Sequence, residues 1–323
     1  MAQTIKKTGF IGLGNVGAKL AGSLVRNGLE VVVRDLDTEA ARPLLEQGAS
    51  FGESAFAMAR ECDVVITCLP NPAASAAVLE AEDGLINGLG PGKIWAEMST
   101  TDEAEIQRLA PLVRATGADL LDCPVSGGCH RAATGNIAIF AGCERPVFDR
   151  MLPLLTVMGH RILHTGPLGS ATILKVVTNY LATANLVSLA EALASSAALG
   201  MNLNVAYEAI RISSGNSFVH ETESQVILNG SRDINFTMDL VAKDVGLFAS
   251  LARRAGLELE LAPLLVDIFE DGIERYGPRE LSPNIIKRLE EAAGLSVLGT
   301  GFPPEMVDDE PEERGAEIKV AHR

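Results

Sequence analysis

An α/β domain with a doubly wound parallel sheet, followed by an all-α C-terminal domain, is the fold class this sequence predicts. Three observations carry it. Short apolar runs alternate with amphipathic stretches through the first half, as βαβ units require. The run Gly12-Leu13-Gly14-Asn15-Val16-Gly17 directly follows the first apolar run and opens a helix. After Gly166-Pro167 the strand signal ends and only helical segments follow.

The elements follow in order. Thr8 to Gly12 reads as a strand and Val16 to Asn27 as the helix after it. Glu30 to Arg34 is a second strand, and Asp63 to Leu69 a later one. Ile94 to Met98, Asp119 to Asp122 and Asn136 to Gly142 continue the series. Near-continuous hydrophobic strands suit a sheet covered on both faces. The helical half opens with a segment from Ser170 to Gly200, a C-cap glycine. At 1.5 Å per residue it spans roughly 45 Å. Helices are expected at Val205–Ile212, Met238–Ala255, Pro263–Tyr276 and Pro283–Ala293, the last with Ser282 as N-cap and Pro283 first in the helix.

A chain of 323 residues fits two domains. We place them at 1–168 and 169–299, with a tail at 300–323. That tail combines Pro303, Pro304 and Pro311 with Asp308, Asp309, Glu310, Glu312 and Glu313. Such a composition buries too little to offset its ordering entropy, so an extended or mobile segment without chemistry is expected.

The chain is 47% hydrophobic and 21% charged, which supports packed cores rather than disorder. Its net charge of −15 and lack of a basic run argue against a nucleic-acid partner. Anionic ligands must instead be held by local devices, such as helix N-termini and single lysines. The five cysteines are odd in number and form no C-x-x-C pair, as expected of reduced thiols in a cytoplasmic protein. Gln3 to Lys7 is polar, unlike a signal peptide. Ile173 to Leu199 is long and apolar enough to span a bilayer, but Lys175, Asn179, Asn185 and Glu191 interrupt it. A buried core helix, and no membrane partner, is the expectation.

The glycine run has a physical reading. Gly12 permits the tight turn, Gly14 lets the backbone approach a pyrophosphate, and Gly17 lets helix and strand pack closely. Leu13, Asn15 and Val16 complete the loop, and the helix N-terminus favours the anion. A glycine turn alone is weak evidence, and the strand–turn–helix context gives it weight. Asp35 ends the second strand, where its carboxylate would accept ribose hydroxyls and repel a 2′-phosphate. The next residue is Leu36 rather than a cation, and Arg34 would face the other way along a strand. The predicted cofactor is therefore NAD rather than NADP.

With these motifs, the chain resembles the β-hydroxyacid dehydrogenase family, which includes 3-hydroxyisobutyrate dehydrogenase and tartronate semialdehyde reductase. The resemblance runs from Gly9 to about Ala293. Besides the glycine loop it rests on Cys68-Leu69-Pro70, Ser99-Thr100, Asp122-Cys-Pro-Val-Ser126-Gly127-Gly128, Lys175 with Asn179, and Lys243-Asp244. It implies reversible oxidation of a small anionic β-hydroxyacid to its semialdehyde or keto acid. Lys175 is then the general acid/base, and Asn179 orients the substrate hydroxyl. Ser126, Gly127 and Gly128 hold the carboxylate, while Lys243 reaches cofactor or substrate. Leu69, Pro70 and Thr100 contact ribose and nicotinamide.

Bland alternatives exist for each. Ser-Gly-Gly can be a plain turn, Lys175 a lysine snorkelling from a helix end, and Lys243 a solvated residue. A lysine and an amide at i and i+4 on an apolar helix are nevertheless costly to bury, and a desolvated ammonium beside a cationic ring is disfavoured. Three departures bear on substrate identity. Ala171 stands where family members commonly carry a glycine, Cys129-His130-Arg131 where small residues are usual, and Phe218 where many have tryptophan. His160 and His164 lack partners at metal-ligand spacing, so no metal is expected. The competing readings are a non-catalytic dinucleotide-binding scaffold on the same fold and an imine reductase, whose relatives commonly lack the lysine. Ala-rich long helices and the resemblance imply a homodimer or homotetramer.

Overall fold

The computed structural model describes residues 4–321, and the chain divides into two compact units. The first runs up to Lys175 and resumes at Asp308. The second is Val176–Val307.

The first unit opens with β1 (Lys7–Ile11), α1 (Gly17–Arg26), β2 (Glu30–Arg34), α2 (Arg42–Glu46), β3 (Ser50–Phe51) and α3 (Ala55–Glu61). It continues with β4 (Val64–Thr67), α4 (Pro72–Glu80), β5 (Ile94–Glu97), α5 (Glu103–Ala115) and β6 (Asp119–Asp122). Then come β7 (Val125–Ser126), α6 (Gly128–Thr134), β8 (Ala138–Gly142), α7 (Arg145–Met158) and β9 (Arg161–Gly166). The long α8 (Ser170–Ala198) leads into α9 (Leu203–Arg211), α10 (Phe218–Asn229), α11 (Met238–Arg254), α12 (Leu261–Tyr276) and α13 (Lys287–Ala293). The chain closes with β10 (Ala316–Glu317).

Among the described residues the strands form one sheet in the order β10-β9-β8-β6-β5-β4-β1-β2-β3, with β7 beside β8. Only the β6–β8 and β7–β8 pairings are antiparallel. The stretch β3-β2-β1-β4-β5-β6 is the Rossmann order, whose direction of winding reverses between β1 and β4. Ligands of such sheets bind outside the carboxyl ends of the strands at that reversal.

The strand sequences explain the two-sided cover. In β2, Val31 and Val33 enter one buried cluster with Phe10, Leu20 and Ile66, while Val32 enters the opposite cluster with Val65 and Trp95. The helical unit has its own core around Leu193, Val241 and Phe269.

Several expectations need correction. β9 and α10 were not anticipated, and a short strand, β10, lies beyond Ser170. Ser282–Ile286 forms a 3-10 turn with Leu281, not Ser282, at its N-cap position, so the α-helix begins at Lys287 rather than Pro283. The units part inside α8, between Lys175 and Val176, rather than at 168/169. Residues 300–307 belong with the helical unit: Asn204 accepts the Thr300 N–H at 3.1 Å, and Phe302 packs edge-on against Tyr207. The tail from Asp308 is tied down to the first unit. Ala316 pairs with Arg161 and Glu317 with Ile162 in parallel register. Finally, α8 is long and apolar, but only 33% of its most apolar 18-residue window is buried within one chain, so it is not simply a core helix.

Candidate active site

The loop after β1 is built so that only glycine fits at its ends. Gly12 has φ +97°, and a Cβ there would stand 2.2 Å from the Cys68 carbonyl oxygen. A Cβ on Gly17 would meet the Gly12 carbonyl oxygen at 2.0 Å. Gly14 differs, because nothing lies within 4 Å of where its Cβ would be. α1 starts with no side-chain cap and no acidic residue in its first turn, leaving the positive helix end for an anion. These residues fit a dinucleotide pyrophosphate.

Asp35 fixes the loop from the end of β2. Its Oδ2 accepts the Leu13 N–H at 2.6 Å and its Oδ1 the Asp37 N–H at 2.9 Å. Within the loop, Ala18 N–H donates to the Gly14 carbonyl and Leu20 N–H to that of Val16. Arg34 donates to the carbonyls of Gly52 and Glu53 at 2.8 and 2.7 Å and lies over the Phe51 ring, and Leu36 is fully exposed.

The neighbouring strand ends are held by a buried carboxyl that sequence reasoning missed. Glu97, at the end of β5, is 1% exposed. Its Oε1 accepts the Ser99 N–H at 2.8 Å, and Ser99 Oγ accepts the Leu69 N–H at 2.7 Å. Burial pushes this carboxyl above its ordinary range, with the Ser99 hydrogen bonds opposing. The Leu69-Pro70 and Ser99-Thr100 loops are thereby tied together. Asn71 caps α4 and Asp102 caps α5 just beyond them. An acid inside Ile-Trp-Ala-Glu-Met was the available signal.

Ser126 ends β7, and Gly127 and Gly128 follow with φ +130° and +88°, conformations that a side chain would strain. The preceding Asp122 is buried at the end of β6. Its Oδ1 accepts the Gly169 N–H at 2.8 Å and its Oδ2 the Thr172 N–H at 2.6 Å, anchoring the start of α8. Lys175 lies in the next turn of that helix and is only 8% exposed. Ala171 is fully buried in helical backbone. Arg131 turns to the tail, pairing with Glu310 at 3.3 Å. His130 is half-buried, and burial, aided by Arg131 and Lys19 against Asp308, holds its imidazole below the usual range.

In the helical unit, Asn179 lies one turn beyond Lys175 on α8 and donates Nδ2–H to Asp244 Oδ2 at 2.5 Å. Lys243 Nζ is 3.0 Å from Asp244 Oδ1, and Asp244 is 2% exposed. A buried aspartate therefore holds both predicted residues, a role that the Lys-Asp motif did not reveal by itself. Phe218 is half-exposed at the start of α10. Among the described residues, no three His, Cys, Asp or Glu side chains gather as metal ligands would.

Residues 7–166 match the NAD binding domain of 6-phosphogluconate dehydrogenase, and residues 169–289 match the NAD-binding domain of NADP-dependent 3-hydroxyisobutyrate dehydrogenase. The 2-(hydroxymethyl)glutarate dehydrogenase of Eubacterium barkeri is 32% identical over 294 residues, covering 91% of this chain and 98% of that protein. The chain belongs to the β-hydroxyacid dehydrogenase family. Also similar is the NAD-dependent L-serine dehydrogenase of Pseudomonas aeruginosa, 32% identical over 88% of this chain and 98% of its own length. The crystal structure of a 3-hydroxyisobutyrate dehydrogenase from Salmonella typhimurium superposes with a TM-score of 0.80 at 29% identity, covering 87% of this chain and 99% of that one. As a β-hydroxyacid dehydrogenase, the chain is an NAD(P)-dependent oxidoreductase.

Proposed function

We propose that this β-hydroxyacid dehydrogenase reversibly oxidises a small hydroxyacid with NAD, using Lys175 as general acid/base. The observation that carries the reading is Lys175 itself. It is a buried amine one helical turn after an anchored helix start, and one turn before an asparagine held by buried Asp244. Burying such groups is costly, and proton transfer at a carbinol gives them a use.

When bound, the nicotinamide supplies two-electron oxidation of the carbinol carbon. Lys175 takes the hydroxyl proton, and Asn179 orients that hydroxyl. Ser126, Gly127 and Gly128 hold the substrate carboxylate through hydroxyl and N–H donors. Gly12 to Gly17 carry the pyrophosphate, and Leu69, Pro70 and Thr100 line the nicotinamide side. Lys243 supplies positive charge to substrate or cofactor. Asp35 supports NAD over NADP, because a fixed carboxylate at that strand end repels a 2′-phosphate. The relatives named above act on 2-(hydroxymethyl)glutarate and L-serine. Both carry a hydroxymethyl group on the carbon that bears a carboxylate, and we propose the same class here.

We also propose a homodimer or larger homo-oligomer in the cytoplasm. The apolar and largely uncovered α8 supports association with a second copy rather than a membrane, since Lys175, Asn179 and Glu191 interrupt it. The five cysteines, none of them joined in a disulfide, support the compartment.

A panel of hydroxyacids, followed by reduced-cofactor absorbance with NAD and with NADP, tests the reading. Turnover should favour NAD by about tenfold or more. Lys175→Ala should lower kcat by about two to four decades while leaving NAD affinity nearly unchanged. Undiminished turnover in that variant ends the assignment.

A further inference from the structure

The acidic tail has an order that its composition concealed. Asp308, Glu310 and Glu312 are the alternate residues of a short acidic run. Their carboxylates meet different side chains. Asp308 Oδ2 accepts from Thr134 Oγ1 and from Asn136 Nδ2, the latter at 2.8 Å. The Glu310 carboxylate pairs with Arg131 at 3.3 Å, and its carbonyl accepts from Asn136 Nδ2 at 2.9 Å. Glu312 accepts from Arg26 Nε at 3.0 Å. Arg26, the last residue of α1, also donates to the Ala133 carbonyl at 2.9 Å.

All these contacts converge on α6 and its end. That helix has seven residues and no side-chain cap, and it stands between Gly127 and the left-handed Gly135. A helix this short does not hold itself in water, and flanking glycines add no stiffness. Its first residue, Gly128, is also the last of the Ser126–Gly128 turn, so α6 cannot shift without moving the donors of that turn. The tail lies beyond residue 289, where the family match ends.

We propose that Asp308–Glu312 is a positioning strap that clamps α6 and thereby sets the Ser126–Gly128 turn for the substrate carboxylate. Asp308 is its principal positioning residue. The inference rests on the carboxylate role given to that turn above. The strap touches neither substrate nor cofactor and acts on substrate affinity through α6.

The test compares the full chain with a chain ending at Val307 and with Asp308→Ala. Removing the strap should raise KM for the hydroxyacid about tenfold, with kcat and the Kd for NAD nearly unchanged. Hydrogen exchange over residues 126–134 should accelerate. Asp308→Asn keeps an acceptor oxygen and should restore much of both. Unchanged exchange over 126–134 overturns the proposal, and so does faster exchange with an unaltered KM. Equal loss of NAD and substrate affinity also overturns it, since that marks general support of the unit. If the shortened chain does not fold, Asp308→Ala and its amide counterpart decide by the same readouts. A full chain that turns over no hydroxyacid refutes the proposed function instead, and the exchange measurement still judges the strap.

Discussion

Glu223, on α10, has a carboxylate oxygen shut off from water and without a hydrogen-bond partner among the described residues. Burial pushes its carboxyl up to about 8. The folded chain therefore holds this proton more tightly than the unfolded chain, whose ordinary value is 4.5. Any stability tied to the group is complete below that value and declines as pH rises through about 8. Glu223→Gln should stabilise by about 1 kcal/mol at pH near 8, roughly 2–4 °C in melting temperature, and by almost nothing near pH 4. A melting curve at both pH values checks this, and a loss at the higher one would refute it. At this scale the sequence was readable where chemistry is local. Gly12 to Gly17 form a site from consecutive residues. The supporting carboxylates were not readable in role, because Asp122 meets Gly169 from 47 residues away and Asp244 meets Asn179 from 65. Glu97 acts on Leu69 only through the Ser99 hydroxyl.

Among elements, α8 depends most on a distant residue. Asp122 accepts the Gly169 N–H just before it and the Thr172 N–H in its first turn, at the end where helix dipole and unpaired donors favour an anion. Asp122→Ala leaves both donors buried without an acceptor and should cost about 2–4 kcal/mol in a denaturant titration. It should also lower kcat, because Lys175 lies on the turn that follows. A variant with full stability would show that the cap is dispensable. Elements with strong patterns were legible: the valines of β2 give Glu30–Arg34 as expected. β9 was missed because Arg161-Ile-Leu-His-Thr-Gly mixes polar and apolar residues at the sheet's far side. α10 was missed because its polar stretch His-Glu-Thr-Glu-Ser-Gln hides the apolar Val-Ile-Leu that follows. At Ser282 the helix signals were present, but a tighter turn used them.

For the whole molecule, the net charge of −15 keeps copies apart at long range, so self-association must rest on apolar burial. The largely uncovered α8, with Leu181 at 53% exposure, offers such a surface. Light scattering should give at least twice the chain mass, and this mass should survive added salt, which screens charge but not apolar contact. A single-chain mass at micromolar concentration would rule that out. The two-part organisation was legible because strand and helix periodicities occupy different halves of the sequence. The docking of the acidic tail was not, since composition reports the cost of ordering and not the partners that offset it.

The short β10 has one more consequence. Without it, β9 would form a bare sheet margin presenting unanswered N–H and C=O groups, the template on which strands of separate molecules stack. Ala316 and Glu317, with the Ile318 N–H on the Ile162 carbonyl, cover the start of that margin, at Arg161 and Ile162. Chains clipped in this stretch would therefore betray themselves first by turbidity on concentration, while their interior remained folded.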